Sequence, residues 1–165
     1  MSRLPFSLAG AACALLLAAC SPKFDWREVR GGDAPFIVLL PAKPASHTRT
    51  IDLDGVKVAM TMTAAEVDGV TFAVGSAEMQ DAAQAQQALA AMKTALVRNI
   101  GGSITQEKTA GPATIDVEAK GAQARVLIAR FAARDKRIYQ AVMLGNEKAI
   151  SRDAADTFFT SFKPG

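Results

Sequence analysis

ARVLIARFAARDKRIYQAVML, residues 124–144, predicts two strands, Ala124–Ala133 and Arg137–Leu144, joined by a charged hairpin turn. Both strands carry apolar side chains on both of their faces. Strands of this kind lie in the centre of a sheet that is covered on both sides. The strand predicted before them, Ala113–Lys120, is apolar on one face only, so its other face is expected to be solvated.

The other elements follow from apolar periodicity and turn residues. Asp54-Gly55 predicts a hairpin turn. The longest helix is predicted at Asp81–Ile100, with Asp81 as its N-cap, and a last helix ends at Thr160. Five further extended segments are predicted: Phe24–Arg30, Phe36–Leu40, Arg49–Leu53, Val56–Ala64 and Val70–Ala77. This order predicts an α+β fold with a single, mainly antiparallel sheet sandwiched between one long central helix and a C-terminal helix.

The order of elements also resembles that of the PsbP-like α/β/α sandwich family. The resemblance depends on the run Phe36–Pro41 with Lys43-Pro44, the central helix, and the closing run Phe158–Lys163. Known members of that family are non-catalytic docking or accessory proteins. The resemblance therefore implies a non-enzymatic function, but it assigns no partner-binding residue.

The first residues of the chain have the layout of a secretory signal. Arg3 provides a positive charge, and the segment Leu4–Ala19 is mostly apolar and ends in small residues. The motif Leu17-Ala18-Ala19-Cys20 resembles the lipobox of bacterial lipoproteins. The resemblance implies cleavage between Ala19 and Cys20, removal of residues 1–19, and a covalent lipid on the Cys20 thiol as the only attached group. The alternative is an ordinary secretory signal with Cys20 near the cleavage point by chance.

The residue after the cysteine bears on localisation. In two-membrane bacteria, aspartate at that position favours retention at the inner membrane, and here it is Ser21. We therefore expect an outer-membrane protein that faces the periplasm. Residues 20–23 form a lipidated tether of about 10–15 Å, which keeps the single α+β domain, residues 24–165, close to the membrane. Trp26 is expected either to dip into the bilayer interface or to pack on the sheet.

Composition excludes several classes of protein. With 50% apolar and 21% charged residues the chain is not disordered, and two cysteines do not make a disulfide scaffold. The net charge is +3, and removing Arg3 with the signal lowers it by one, to +2. A charge this small and scattered aromatic residues do not indicate a nucleic-acid partner.

Catalytic and metal-binding motifs are not recognisable. His47 is the single histidine and is expected in a solvated loop, Pro44–Thr50, so a site with several imidazoles is excluded. Ser76 lacks the glycine that stands two residues before the serine of a nucleophile elbow. The run Asp52–Gly55 is spaced as a turn rather than as a calcium loop. We therefore predict no enzyme, no metal and no catalytic residue.

One group of cations is a candidate contact for an anion, a lipid headgroup or a protein partner: Arg130, Arg134, Lys136 and Arg137. Solvated charges at a hairpin tip are the alternative interpretation. Arg130 differs from the others because its strand is apolar on both faces. A half-buried arginine needs a carboxylate, and Asp116 or Glu118 on the neighbouring strand could supply it.

Three functions remain open. The first is a membrane-anchored, non-catalytic binding or accessory module for an envelope partner. The second is a carrier of a small hydrophobic ligand or lipid, because Ala85, Ala88 and Ala91 could leave space between helix and sheet. The third is a hydrolase, which would need His47 and an acidic residue in one pocket.

Overall fold

The computed structural model describes residues 22–165, of which 53% lie in strands and 22% in helices. The α-helices of this region are α1 (Ala82–Asn99) and α2 (Arg152–Ser161), and a short 3-10 helix spans Ala122–Ala124; none of them is long and apolar enough to span a membrane. The strands, in chain order, are β1 (Arg27–Arg30), β2 (Phe36–Leu40), β3 (Ala45–Leu53), β4 (Val56–Val67), β5 (Val70–Glu78), β6 (Ser103–Gly111), β7 (Thr114–Lys120), β8 (Arg125–Arg134), β9 (Arg137–Asn146) and β10 (Lys163–Pro164).

Seven strands form the larger sheet, in the order β3-β4-β5-β9-β8-β7-β6, with antiparallel neighbours throughout. β9 is the middle strand and β8 lies beside it. Leu127 and Tyr139 are fully buried although they lie on opposite faces of the sheet. The prediction of two central strands that are covered on both sides is confirmed.

One side of this sheet, here called the helix face, is covered by α1. Leu89 and Met92 of α1 pack there with Phe131 and Ile138 of the sheet. The predicted N-cap is confirmed, because the Asp81 carboxylate accepts a hydrogen bond of 2.8 Å from the amide of Gln84. The Gln84 side chain in turn accepts one of 3.0 Å from the amide of Gln80, the residue before the N-cap, which makes a pair similar to a capping box.

The other side, here called the aromatic face, is covered by α2 and by a second antiparallel sheet in the order β1-β2-β10. Of the nine aromatic side chains in residues 22–165, Phe131 lies on the helix face. The other eight pack on the aromatic face: Phe24, Trp26, Phe36, Phe72, Tyr139, Phe158, Phe159 and Phe162.

The predicted single sheet between two helices is therefore wrong. A second, three-stranded sheet shares one outer layer with α2, and strand outweighs helix in the described residues. β2 does not join the larger sheet. Pro35 precedes β2, and Pro41 and Pro44 follow it, so residues that lack an amide donor limit this strand to five residues. β2 pairs instead with β1 and β10.

The two outermost strands of the larger sheet also differ from the prediction. β6 was not predicted, because its residues are exposed along almost the whole strand and show no apolar alternation. β3 begins at Ala45 rather than at Arg49, so most of the predicted loop Pro44–Thr50 is strand. Apolar sequence patterns reveal strands whose side chains are buried, and β3 and β6 bury few of theirs.

Candidate functional site

The four predicted cationic contacts occupy two separate places. Arg130 lies in the middle of β8, on the aromatic face. Arg134 and Arg137 lie opposite each other where β8 and β9 approach their turn, and Lys136 is in that turn. We call residues 134–137 the hairpin tip.

The hairpin tip is an exposed group of compensated charges. The Glu78 carboxylate binds Lys136 at 2.8 Å and Arg137 at 3.2 Å, and Arg134 donates to the carbonyl of Ala133 at 2.7 Å. The hydrogen bond from Lys136, and then its charge, lower the pKa of Glu78. The tip is therefore a solvated ion-pair cluster, as the alternative interpretation of these cations states.

Arg130 has a different environment. Its Nε and Nη2 atoms donate to the two oxygens of Asp116 at 2.6 and 2.8 Å, and its Nη1 donates to the carbonyl of Phe159 in α2 at 3.3 Å. Asp116 lies directly opposite Arg130 in the β7–β8 ladder. The hydrogen bond with Asp116 raises the pKa of Arg130, while partial burial opposes this. Arg130 thus joins the sheet to α2, and the first of its two predicted partners is the one it binds.

Glu118, the second predicted partner of Arg130, binds another cation. Arg152, at the start of α2, donates to both Glu118 oxygens at 2.6 and 3.2 Å. That hydrogen bond raises the pKa of Arg152. Two arginine–carboxylate pairs therefore connect the sheet to α2.

A cleft of about 230 Å³ lies between strands β6–β8 and α2. Six charged side chains line it, three cationic and three anionic: Lys108, Arg130, Arg152, Asp116, Glu118 and Asp156. Both arginines are engaged by carboxylates, and the Lys108 ammonium is 4.0 Å from Asp116. An incoming anion would have to compete with these carboxylates, so the cleft presents donors and acceptors together rather than an anion site.

A second cavity, of about 350 Å³, lies beside β3 and brings His47 and Asp33 to one lining. The hydrolase hypothesis requires this proximity, but it also requires a hydrogen-bonded triad. Within residues 22–165 the His47 side chain is hydrogen-bonded to Arg49, whose guanidinium donates to Nε2 at 3.2 Å. The cavity hydroxyl of Ser46 is 2.7 Å from that of Thr63. The arrangement does not activate a nucleophile.

The position of His47 corrects one prediction and explains this geometry. It lies in β3 rather than in a loop, although it is exposed as expected. His47 is opposite Met62, which packs towards the helix face, whereas Ser46 and Thr48 alternate to the other side. The imidazole and the hydroxyls therefore point to different faces of the sheet.

The chain enters the folded domain beside the β4–β5 turn. Lys23 forms an ion pair of 3.2 Å with Asp68 in that turn and lies over the ring of Phe24, 5.4 Å from its centroid. Trp26 packs edge-on against Phe72, with ring centroids 6.0 Å apart. Of the two interpretations of Trp26, packing on the sheet is confirmed.

Sequence reasoning missed three contributors to the cleft. Arg152 and the carbonyl of Phe159 reach it from α2, and Lys108 reaches it from the unpredicted strand β6. Gly102, which precedes β6, and Gly111, its last residue, were the available signal for that strand. A backbone carbonyl leaves no sequence signal at all.

Ala19 and Cys20 lie outside the described residues, so cleavage and lipidation remain predictions. Within residues 22–165, no cluster of three or more histidine, cysteine, aspartate or glutamate side chains is placed to hold a metal ion. Neither a protein-family model nor a curated protein matches the chain. The lipoprotein and PsbP-like resemblances therefore depend on the short motifs quoted above.

Proposed function

We propose that this chain is a lipid-anchored protein at the periplasmic face of a bacterial outer membrane, where it binds another envelope protein without catalysing a reaction. The lipobox ending at Cys20 supports the anchor. The observation that carries the proposal is the small number of residues between Cys20 and the start of the folded domain. Only Ser21 and Pro22 separate Cys20 from Lys23, which already binds the β4–β5 turn.

A tether this short gives the domain an orientation. An anchor on Cys20 holds the β4–β5 turn, which contains Asp68, near the membrane. β5 leaves that turn and extends for nine residues to Glu78, about 30 Å at 3.4 Å per residue. Glu78 binds the hairpin tip, so the tip lies at the end of the sheet that is far from the anchor. This distance favours a protein as the partner of the tip over a lipid headgroup.

The carrier hypothesis has less support than the binding module. It depended on small side chains that would leave space between α1 and the sheet. Ala85 is fully buried and Ala88 nearly so, in the same core as Leu89 and Met92. These alanines bring the helix close to the sheet, and the cavity beside Ala88 and Ala91 has a volume of only about 150 Å³, smaller than a typical ligand pocket.

The anchor is tested by growing cells with labelled palmitate. The natural chain should incorporate the label, and Cys20→Ala should lose it because no thiol is left to take the lipid. Cys13→Ala is the matched control, since this cysteine lies within the predicted signal and should leave labelling unchanged. Label that persists in Cys20→Ala would contradict the lipoprotein assignment.

The partner is tested with a photo-crosslinking side chain placed at either end of the sheet. A probe at Lys136 should give protein adducts, and a probe at Asp68 should give lipid adducts, because only the second position is close to the anchor. Lipid adducts from Lys136 would contradict the orientation. Native mass spectrometry of the full chain checks the carrier alternative, which gains support if a hydrophobic ligand copurifies.

A further inference from the structure

The larger sheet ends in two exposed strands, β3 and β6, whose free edges differ. The β6 ladder is interrupted by register shifts between Ile104 and Gln106 and between Thr109 and Gly111. Bulges at an edge hinder the addition of another strand. β3 pairs with β4 over nine consecutive residues without a shift. β3 is therefore the edge that is better shaped to accept a further strand.

The β3–β4 turn identifies which backbone groups of β3 are free. Asp54 and Gly55 form a two-residue loop with φ angles of 56° and 89°, so Leu53 and Val56 are a hydrogen-bonded pair. Alternate residues of β3 then bond to β4, and those between them point outward. The outward set is Ser46, Thr48, Thr50 and Asp52.

Side-chain contacts agree with this assignment. In an antiparallel ladder, side chains approach most closely at the non-hydrogen-bonded pairs. The hydroxyls of Thr48 and Thr61 are 2.7 Å apart, and those of Ser46 and Thr63 are also 2.7 Å apart. The outward N–H and C=O groups of residues 46–52 thus form a regular edge about 20 Å long.

The charge at this edge is positive in the middle. Arg49 is exposed at the centre of β3, and its neighbour His47 accepts a hydrogen bond from it. The carboxylate of Asp52, near the end of the strand, is engaged by the amide of Gly55 at 2.6 Å. A strand added to β3 would therefore be stabilised by carboxylate side chains that project from the same face of the sheet as Arg49.

A second copy of this chain does not fit as well. The antiparallel register that uses all the outward residues of both copies pairs Ser46 with Asp52 and Thr48 with Thr50. In that register Arg49 lies directly opposite Arg49 of the other copy. Like charges that face each other across strands are destabilising, so Arg49 opposes self-pairing.

We propose that β3 binds, as an added strand, an extended segment of a partner protein that carries carboxylates at alternate positions. Backbone hydrogen bonds to the outward residues supply the affinity, and Arg49 selects the acidic segment. The inference rests on the proposed function, because it names a second surface, besides the hairpin tip, to which the envelope partner binds. β3 runs in the same direction as β5, away from the β4–β5 turn, so a segment bound there extends away from the membrane.

The experiment titrates the full chain, purified in detergent, with two capped synthetic peptides. Glutamate alternates with valine in the first peptide, and lysine replaces glutamate in the second. The first should bind and shift the amide NMR signals of Ser46, Thr48 and Thr50. Equal binding of the two peptides, no binding of either, or shifts confined to β6 would overturn the inference.

Two variants sharpen the test. Arg49→Glu should reverse the preference in favour of the lysine peptide, whereas the same charge reversal at the exposed loop residue Lys148 should change neither affinity. Thr48→Pro removes an outward N–H that β4 does not use, so it should weaken binding about tenfold or more while the β3–β4 ladder is kept. If that variant does not fold, Arg49→Glu still decides the question. Dimerisation of the natural chain that Thr48→Pro abolishes would replace the acidic partner with a second copy.

The outcome is separable from that of the proposed function. A chain that incorporates palmitate at Cys20 but binds no peptide contradicts this inference alone. A chain that binds the acidic peptide but incorporates no palmitate contradicts the anchor and leaves the β3 site intact.

Discussion

The two faces of the seven-stranded sheet are built from different side chains and from different parts of the chain. The helix face is mostly aliphatic and is covered by one continuous segment, α1. The aromatic face holds eight of the nine aromatic side chains in the described residues and is covered by segments from both ends of that region. One of its hydrogen bonds, from the amide of Leu39 to the Ser161 hydroxyl, joins residues 122 positions apart.

The two faces therefore differ in how their contribution to stability is distributed over individual side chains. On the helix face the contacts are shared mostly by aliphatic side chains, each with less volume than an aromatic ring. On the aromatic face a few rings meet edge to face, and Phe72 contacts both Trp26 at 6.0 Å and Phe158 at 5.5 Å between centroids. Single substitutions should therefore be more damaging on the aromatic face.

Truncation of Phe158 should have the largest effect. Its ring is fully buried between Phe72 and Phe159, so Phe158→Ala should lower the free energy of unfolding by about 3–5 kcal/mol. Leu89→Ala, the matched change in α1, should cost less than this, within the range of about 2–5 kcal/mol, because less side-chain volume is removed. Urea denaturation of both variants measures the two losses, and equal losses would show that the faces contribute alike.

Loss of the Arg130–Asp116 pair should have the second-largest effect on the free energy of unfolding. The side chains are 27% and 18% exposed, so solvent screens the pair in part, and Arg130→Met should cost about 1–3 kcal/mol. That loss arises largely from the carboxylate left half-buried without its partner. Replacing Asp116 with leucine in the same variant should recover most of the stability. A double-mutant cycle measures this coupling, and simple additivity would mean that Arg130 and Asp116 do not stabilise each other.

Loss of a helix cap should lower the free energy of unfolding by less than the changes above. The loss should be larger for the cap of α1, on the helix face, than for the cap of α2, on the aromatic face. Asp81 caps α1 through a charged acceptor at 2.8 Å, whereas Ser151 caps α2 through a neutral hydroxyl at 3.2 Å. Asp81→Ala should cost about 1 kcal/mol and Ser151→Ala about 0.5 kcal/mol. Thermal unfolding of both variants checks the order, which is the reverse of that expected for the core substitutions.

Tyr139→Phe should have the smallest effect at neutral pH, about 0.5 kcal/mol. The Tyr139 hydroxyl donates to the carbonyl of Pro35 at 3.0 Å, but that carbonyl also accepts from the amide of Gly165 at 2.7 Å and stays satisfied.

The same substitution should matter more in alkali. Burial raises the pKa of Tyr139 above its ordinary value of 10.0, although the charges of Arg137 and Arg134 oppose the rise. The folded chain therefore keeps the proton at a pH where the unfolded chain releases it. This contribution to stability is complete below about pH 10 and is lost as the pH rises above that value. Unfolding curves at increasing pH should show a smaller alkaline loss for Tyr139→Phe, and identical slopes would contradict the assignment.

The same contrast explains how much of the fold could be predicted. Strands β8 and β9, the turn at Asp54-Gly55 and helix α1 with its cap at Asp81 all follow from local patterns. The cover of the aromatic face does not, because pairs such as Ile37 with Lys163 join distant segments and leave no periodic signal. The edge strand β6 was missed because it buries almost nothing.

The candidate site was predictable to a similar degree. A lone arginine in an apolar strand indicated a carboxylate partner, and the register of β7 with β8 supplies Asp116. The partner of Glu118 comes from α2, whose docking depends on the tertiary structure. Arg130 is separate from the hairpin tip because it lies in the middle of β8, four residues before Arg134.

The way the aromatic face is covered also has a consequence during translation. Val38 and Leu40 of β2 are made early, yet their cover includes α2 and β10, which the ribosome makes last among the described elements. Through most of synthesis the nascent chain therefore carries an unfinished apolar surface. Such surfaces are where chaperones act and where aggregation starts. The final collapse of the domain must therefore wait until residues 152–164 are available to pack.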